Sequence, residues 1–191
     1  EGFATISLRP RFVWGPRDTS VLPTVLRMAK EGAWAWLDGG RKQTSTTHVH
    51  NLARAVVLAL SKGRGGEAYF VADEGTRTLR TFLSAMALTQ GVKLPQRSLP
   101  SVIARPLARL VEGPWRLIGI RRAPPMTSFA IAMMSSEITV DITKARRELG
   151  YAPVVSGEPT QVSTGDYRGV VYAREPEKWR DGGYADRGLI K

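Results

Sequence analysis

The residues of this 191-residue chain whose types and placement could do chemistry gather at two places. The first is the run 8–18, Leu-Arg-Pro-Arg-Phe-Val-Trp-Gly-Pro-Arg-Asp, fed by the apolar stretch 3–8 and left through a polar turn with a helix-start signal. A strand that ends in a Pro/Gly-punctuated loop and re-enters a helix is half of a βαβ unit. Ligands of open α/β sheets bind outside the carboxyl ends of such strands. The second place is His48-x-His50, where an extended backbone would turn both imidazoles to one face. A His-x-His pair invites a metal, but no cluster of Asp, Glu or Cys supplies further ligands, so no metal centre is expected. One of the two histidines is instead expected in the core, hydrogen-bonded. Gly63-Arg64-Gly65-Gly66 lacks the spacing and the strand-to-helix setting of a dinucleotide-binding glycine loop.

The elements that must position these residues follow from periodicity. Past Pro10, which cannot donate to a ladder, Val13 and Trp14 continue the apolar character. Asp18, Thr19 and Ser20 offer caps for a helix over 21–31, whose apolar Val21, Leu22, Val25, Leu26 and Ala29 share a face and which Gly32 stops. Short strands are expected over 33–37 and 43–49, the second rich in Thr. Asn51 is expected to cap a helix with Leu52, Ala55, Val56, Ala59 and Leu60 on one side. A strand over 67–72, a turn at Asp73-Glu74-Gly75 and a Thr78-capped helix over 79–90 complete a β-α-β-β-α-β-α order. Segment 99–120 reads as two amphipathic helices broken at Pro106 and Pro114 and studded with arginine; such a stretch covers a core, lids a pocket or lies on a membrane surface. An apolar helical piece over 126–134, a β-prone segment over 137–142 and a Thr143-capped helix over 144–149 follow. Residues 156–191, rich in Gly, Asp, Arg and Pro, read as a loosely ordered tail distinct from a body over 1–155.

At 42% hydrophobic residues the chain can bury a core, and it holds no uninterrupted apolar run long enough to cross a membrane. The net charge is +11, carried by the body: residues 1–155 hold 22 basic and 11 acidic side chains, the tail six of each. A basic body suits nucleic acid, an anionic membrane face or an anionic cofactor. With no cysteine the chain fits a reducing compartment, so a cytoplasmic location is expected.

Four segments in this order resemble the C-terminal half of the extended short-chain dehydrogenase/reductases, the NAD-dependent epimerase/dehydratase superfamily. Residues 8–18 are similar to its "LRPxxVYGPGD" strand and loop, and 47–53 (Thr-His-Val-His-Asn-Leu-Ala) to its "hVdDvA" segment. Residues 67–71 with 78–83 resemble its "eaYnv…tlreil" strand and helix, and 144–153 (Lys-Ala-Arg-Arg-Glu-Leu-Gly-Tyr-Ala-Pro) its closing "KArreLGYxP". The long apolar stretch 99–120, and Thr44 standing near where nucleotide-sugar epimerases place an arginine, favour the 3β-hydroxysteroid dehydrogenase-like branch; a hydroxyl does not replace a bidentate guanidinium. Arg41 nearby keeps a nucleotide-sugar substrate as one alternative; a non-catalytic binding or membrane-surface module using the basic body and segment 99–120 is the other.

The resemblance implies an α/β fold: the C-terminal part of a Rossmann-like doubly wound sheet with a small, mostly helical substrate-binding lobe, the N-terminal dinucleotide-binding half being absent. It implies NAD or NADP as cofactor, with Arg9, Pro10 and Arg11 closing over the nicotinamide end. Trp14, Arg17 and His48 become the substrate-side candidates, Trp14 having a core reading beside that one. The family's glycine motif and its Tyr-x-x-x-Lys pair are not found in these 191 residues, so no catalytic residue is assigned. The chain is expected to be a C-terminal fragment that does not catalyse alone. Its expected partner is a small apolar, sterol-like molecule; a peripheral membrane contact and a homodimer are further possibilities, and nucleic acid is not expected.

Overall fold

The computed structural model describes residues 3–16, 18–117, 128–157 and 159. In chain order the strands are β1 (Ser7–Pro10), β2 (Val13–Trp14), β3 (Trp36–Leu37), β4 (Gln43–Thr44), β5 (Thr47–His48), β6 (Ala68–Val71), β7 (Arg77–Thr78) and β8 (Ser98–Leu99). The helices are α1 (Val21–Lys30), α2 (Val49–Lys62), α3 (Leu79–Thr89), α4 (Ser101–Leu117), α5 (Ser128–Ser135) and α6 (Thr143–Leu149). A 3-10 turn lies at Asp38–Gly40. The chain divides into two units interleaved in sequence, residues 1–18, 46–75 and 140–191 forming the first and 19–45 and 76–139 the second.

In the first unit β1 runs parallel to β6, with Leu8 opposite Tyr69 and Pro10 opposite Val71. β2 runs parallel to β5, with Trp14 opposite His48. α2 fills the connection between β5 and β6. The face of α2 carrying Ala55, Leu58 and Ala59 is buried with Tyr69, Val71 and Ala72, and α6 closes this core with Ala145 and Leu149. Two tyrosines fasten α6 and the residue beyond its end: Tyr69 Oη donates to Glu148 at 3.2 Å, and Tyr151 Oη to the Ala72 carbonyl at 3.0 Å. Gly150, with φ of +66°, ends the helix in the left-handed conformation that glycine adopts without steric cost.

In the second unit α1 and α3 pack together, burying Leu22 and Val25 from one and Phe82, Leu83 and Met86 from the other. β3 pairs parallel with β8 and β4 antiparallel with β7. Trp34 and Trp36 meet edge to face, ring centres 5.1 Å apart. A smaller core joins Leu37 to Ala104 and Ala108 of α4 and Ile131 of α5.

Several sequence expectations are corrected. The strand expected over 3–8 begins at Ser7 and reaches Pro10, because its partner β6 starts only at Ala68. The strand expected over 33–37 keeps just its last two residues: the N–H groups of Ala33 and Trp34 both donate to the Met28 carbonyl, so these residues finish α1. The strand expected over 43–49 is two strands, since Ser45 turns away to donate to the Ile138 carbonyl. Segment 137–142 makes a single bridge, Thr44 with Ile138, instead of a strand. The start of α6 is held by Asp141, whose Oδ1 accepts from Thr143 N–H and Oγ1–H at 2.8 and 2.6 Å, rather than by Thr143 as cap. α4 runs unbroken through Pro106 and Pro114. At Pro106 the helix loses one hydrogen bond, to the Val102 carbonyl, and carries on. The Thr78 cap is as expected, its Oγ1 accepting from Thr81 N–H at 3.1 Å. Of the expected tail, all but residues 156, 157 and 159 lie outside the described residues.

Candidate functional site

β1 ends at Pro10, which has no N–H for a further ladder bond. Beyond it the backbone turns sharply, with φ of +43° at Phe12 and +136° at Gly15. A non-glycine residue enters the left-handed region only where its surroundings hold it there. The holder is Thr47. Its Oγ1 accepts from Arg11 N–H at 3.1 Å and lies 2.7 Å from the Arg11 carbonyl and 2.9 Å from that of Val71, so its one proton serves two acceptors. Thr47 N–H also donates to the Phe12 carbonyl at 3.1 Å. Gly15 is required for space as well as conformation: a Cβ there would fall 2.8 Å from Val49 Cγ1.

Behind this turn stands Asp73, two residues past β6 and 2% exposed. Its Oδ2 accepts from Trp14 Nε1–H and Thr46 Oγ1–H, both at 2.8 Å. Its Oδ1 accepts from the His48 backbone N–H at 2.7 Å and from Asn51 Nδ2–H at 2.6 Å. A carboxylate out of water needs such a full set of donors. Asn51 extends the network, donating also to the Val155 carbonyl at 2.8 Å while Oδ1 accepts from the N–H groups of Val154 and Val155. One buried acid thus ties together β2, β5, the first turn of α2 and the segment at 154–155.

His48 is fully buried, edge-on to Trp14 with ring centres 4.7 Å apart and 5.1 Å from the ring of His50. Its Nδ1 accepts from His50 N–H at 3.2 Å and so caps α2. Burial first, and then the neighbouring His50, push its pKa down to about 3; burial also lowers that of His50. Both rings are neutral at ordinary pH. The cap is therefore His48, whereas Asn51 lies within the first turn, and His50 belongs to α2 rather than to an extended strand. The rings come close because a strand end and a helix start meet there.

Of the expected site residues, Arg9 is exposed with its guanidinium over the Phe70 ring at 5.9 Å, and Pro10 is exposed at the strand end. Arg11 is half-buried, and that burial lowers its pKa from the ordinary arginine value. Trp14 and His48, for which the sequence offers a substrate-side and a core reading, are inside the core at 1% and 0% exposure. Arg17 lies outside the described residues. The sequence does not single out Asp73, Thr46 or Thr47 as site residues, and it marks Asn51 only as a helix cap. The available signal was an acid directly after a strand too apolar to face water. Among the described residues no three His, Cys, Asp or Glu side chains converge as a metal set. What the arrangement does chemically is hold a strained turn in place at the carboxyl ends of the parallel pair β1 and β6, with Arg9 and Pro10 outward.

Residues 1–101 match the family model of the 3-beta hydroxysteroid dehydrogenase/isomerase family. The chain is 41% identical over 151 residues to a 4-hydroxy-2-methyl-3-oxo-4-farnesyl-3,4-dihydroquinoline-1-oxide ketoreductase of Stigmatella aurantiaca, covering 79% of this chain and 45% of that protein. It is 31% identical over 166 residues to 3beta-hydroxysteroid-dehydrogenase/decarboxylase isoform 2 of Arabidopsis thaliana, covering 81% of this chain and 29% of the relative. The chain thus spans less than half the length of either relative. Among solved structures it superposes on UDP-glucuronic acid 4-epimerase from Bacillus cereus in complex with NAD, with a TM-score of 0.52 and 18% identity over 80% of this chain and 40% of that one. At that identity the likeness speaks for the fold, a partial Rossmann-like α/β arrangement. With the motifs at 8–18, 47–53 and 67–83 set on the strands and helices described above, the chain belongs to the 3-beta hydroxysteroid dehydrogenase/isomerase family.

Proposed function

We propose that this chain is the substrate side of an NAD- or NADP-dependent oxidoreductase acting on a hydroxyl or carbonyl group of an apolar, sterol-like molecule. The observation that carries the reading is the braced turn at residues 11–15, set at the carboxyl ends of parallel strands in a chain of this family, where open α/β sheets take their ligands. Arg9, Pro10 and Arg11 are the residues that would close over the nicotinamide end. The names of the two relatives, a farnesylated-quinoline ketoreductase and a steroid dehydrogenase, support an apolar substrate with an oxidisable or reducible oxygen.

For the rest of the dinucleotide these residues offer no glycine-rich loop of the dinucleotide-binding spacing. A diphosphate seeks free N–H groups at a helix N-terminus. At the starts of α2, α3, α4 and α6 one N–H each is already met by an acceptor of the chain itself, namely His48 Nδ1, Thr78 Oγ1, Asp38 Oδ1 on Ser101 N–H at 2.9 Å, and Asp141 Oδ1. With no Tyr-x-x-x-Lys pair in these 191 residues we assign no chemical step to this chain's own side chains, and we expect no turnover by the chain alone. A nucleotide sugar is the less favoured substrate. Thr44, Ser45 and Thr46 are buried at 4%, 1% and 1%, with Thr46 spent on Asp73, so the stretch offers no cationic grip for a sugar diphosphate.

The test begins with the genomic reading frame upstream of residue 1. An in-frame glycine-rich motif and a Tyr-x-x-x-Lys pair are expected, and the protein extended to include them should reduce NAD or NADP with hydroxysteroids and leave UDP-sugars unchanged. Turnover of UDP-sugars with no activity on hydroxysteroids would overturn the reading.

A further inference from the structure

Over its described side chains, residues 101–108 and 110, α4 is packed inside out. Its small residues Ala104 and Ala108 are 0% and 1% exposed, against Leu37 and Ile131. The large apolar side chains described in this helix face water: Val102 is 77% exposed, Ile103 54%, Leu107 45% and Leu110 72%. A surface helix normally turns its large apolar side chains inward and its polar ones out. Residues 103, 107 and 110 keep the i, i+4, i+7 spacing of a single stripe, and the whole helix is about 25 Å long. Between 101 and 110 the only charged residues are Arg105 and Arg109, and Arg105 is exposed beside Ser135, with Nη2 donating to Ser135 Oγ at 3.1 Å.

The charge of the molecule is concentrated in the same unit. Residues 19–45 and 76–139 hold thirteen Lys and Arg against four Asp and Glu, while the other unit holds fifteen against thirteen. Nearly all of the net charge of +11 therefore belongs to the unit that exposes the apolar stripe. Among the described residues no helix is long and apolar enough to cross a membrane, and α4, with arginine inside it, fits a position along a bilayer rather than through one.

We propose that the exposed face of α4 docks this unit on an anionic lipid surface, with Val102, Ile103, Leu107 and Leu110 entering the boundary between headgroups and acyl chains and the unit's cationic side chains facing lipid phosphates. Apolar area and cationic charge together give the affinity that neither gives alone. The inference stands on α4 and the charge distribution and does not depend on the catalytic reading.

Co-sedimentation of the 191-residue chain with phosphatidylcholine vesicles, with and without phosphatidylglycerol, tests it. Binding is expected only with the anionic lipid, and weakening as salt shortens the screening length. The double substitution Leu107→Glu with Leu110→Glu should weaken binding at least about tenfold with helical circular dichroism unchanged. Leu107→Ala with Leu110→Ala, which keeps helix propensity, should weaken it in the same direction and guards against a misfolded Glu variant. Equal binding to neutral vesicles, or parent-like binding by a folded double variant, would overturn the proposal. So would failure to bind together with a concentration-dependent dimer that either double substitution dissociates, since that would give the face to a second copy of the chain.

Discussion

Asp73→Ala is the substitution whose effect follows most directly from the geometry. It removes a carboxylate that is 2% exposed and leaves Trp14 Nε1, Thr46 Oγ1, the His48 N–H and Asn51 Nδ2 without their shared acceptor. A hydrogen bond to a charged group contributes about 1.5–3 kcal/mol, and a buried donor left alone costs about 1–3 kcal/mol. Because the four bonds meet on one group their losses do not add; breaking a buried charged network by removing one member costs about 3–5 kcal/mol. We expect a loss near 4 kcal/mol, a large part of the roughly 5–15 kcal/mol that holds a domain folded. Asp73→Asn keeps the shape but turns an NH2 toward one pair of donors, and should cost about half as much. Urea unfolding followed by circular dichroism reads both, with comparable m-values as the condition for comparing midpoints. Glu74→Ala serves as the neighbouring control. Its ion pair with Arg146 is at the surface, and its loss should stay within about 0.5 kcal/mol. A loss below about 1 kcal/mol for Asp73→Ala at unchanged m would refute the reasoning, because it would mean the four donors find other partners at no cost.

Three further outcomes follow from particular residues. Gly15→Ala should destabilise by about 2 kcal/mol or more, from the positive φ and the contact with Val49, whereas Gly75→Ala, also at positive φ but with open space around its Cβ, should cost less; urea midpoints compare the two. His48 has a pKa of about 3 in the fold against 6.5 ordinarily, so below pH 6.5 the unfolded chain takes up a proton that the folded chain refuses. Stability should therefore fall as pH drops from 6.5 toward 3, by up to about 1.4 kcal/mol per unit for that proton. His50 adds in the same direction, and imidazole NMR signals that titrate at the ordinary value would contradict this. Pro106→Ala should raise the melting temperature, since it restores a helix hydrogen bond at an exposed position where proline costs up to about 3 kcal/mol.

The helices were legible in the sequence because their signals are local. α1 and α3 repeat apolar residues on one face, and Gly32, Gly91 and Gly150, all at positive φ, mark where α1, α3 and α6 stop. The strands were legible only in part. Whether Ala33 and Trp34 extend a strand or finish a helix depends on the Met28 carbonyl, and whether 43–49 is one strand or two depends on β2 and β7, which are distant in sequence. The family motifs placed the 8–18 turn correctly, but not what holds it. Asp73 followed by Glu74 and Gly75 reads as a solvated turn, and its partners lie 22 to 59 residues away. For Trp14 and for one of the two histidines the sequence offers both a substrate-facing and a core reading; what decides for the core is the buried acid that draws the Trp14 indole and the His48 backbone inward.

The central claim is that these 191 residues carry the substrate side of a nicotinamide-dependent reductase without the groups that do its chemistry. The direct test is the rate of NADH or NADPH oxidation by an apolar ketone, measured side by side for this chain and for the protein extended upstream along the genomic reading frame. We expect substrate-dependent oxidation by the extended protein and none by the chain of residues 1–191. Turnover by the 191-residue chain alone, or an extended protein that leaves apolar ketones untouched while converting UDP-sugars, would contradict the account.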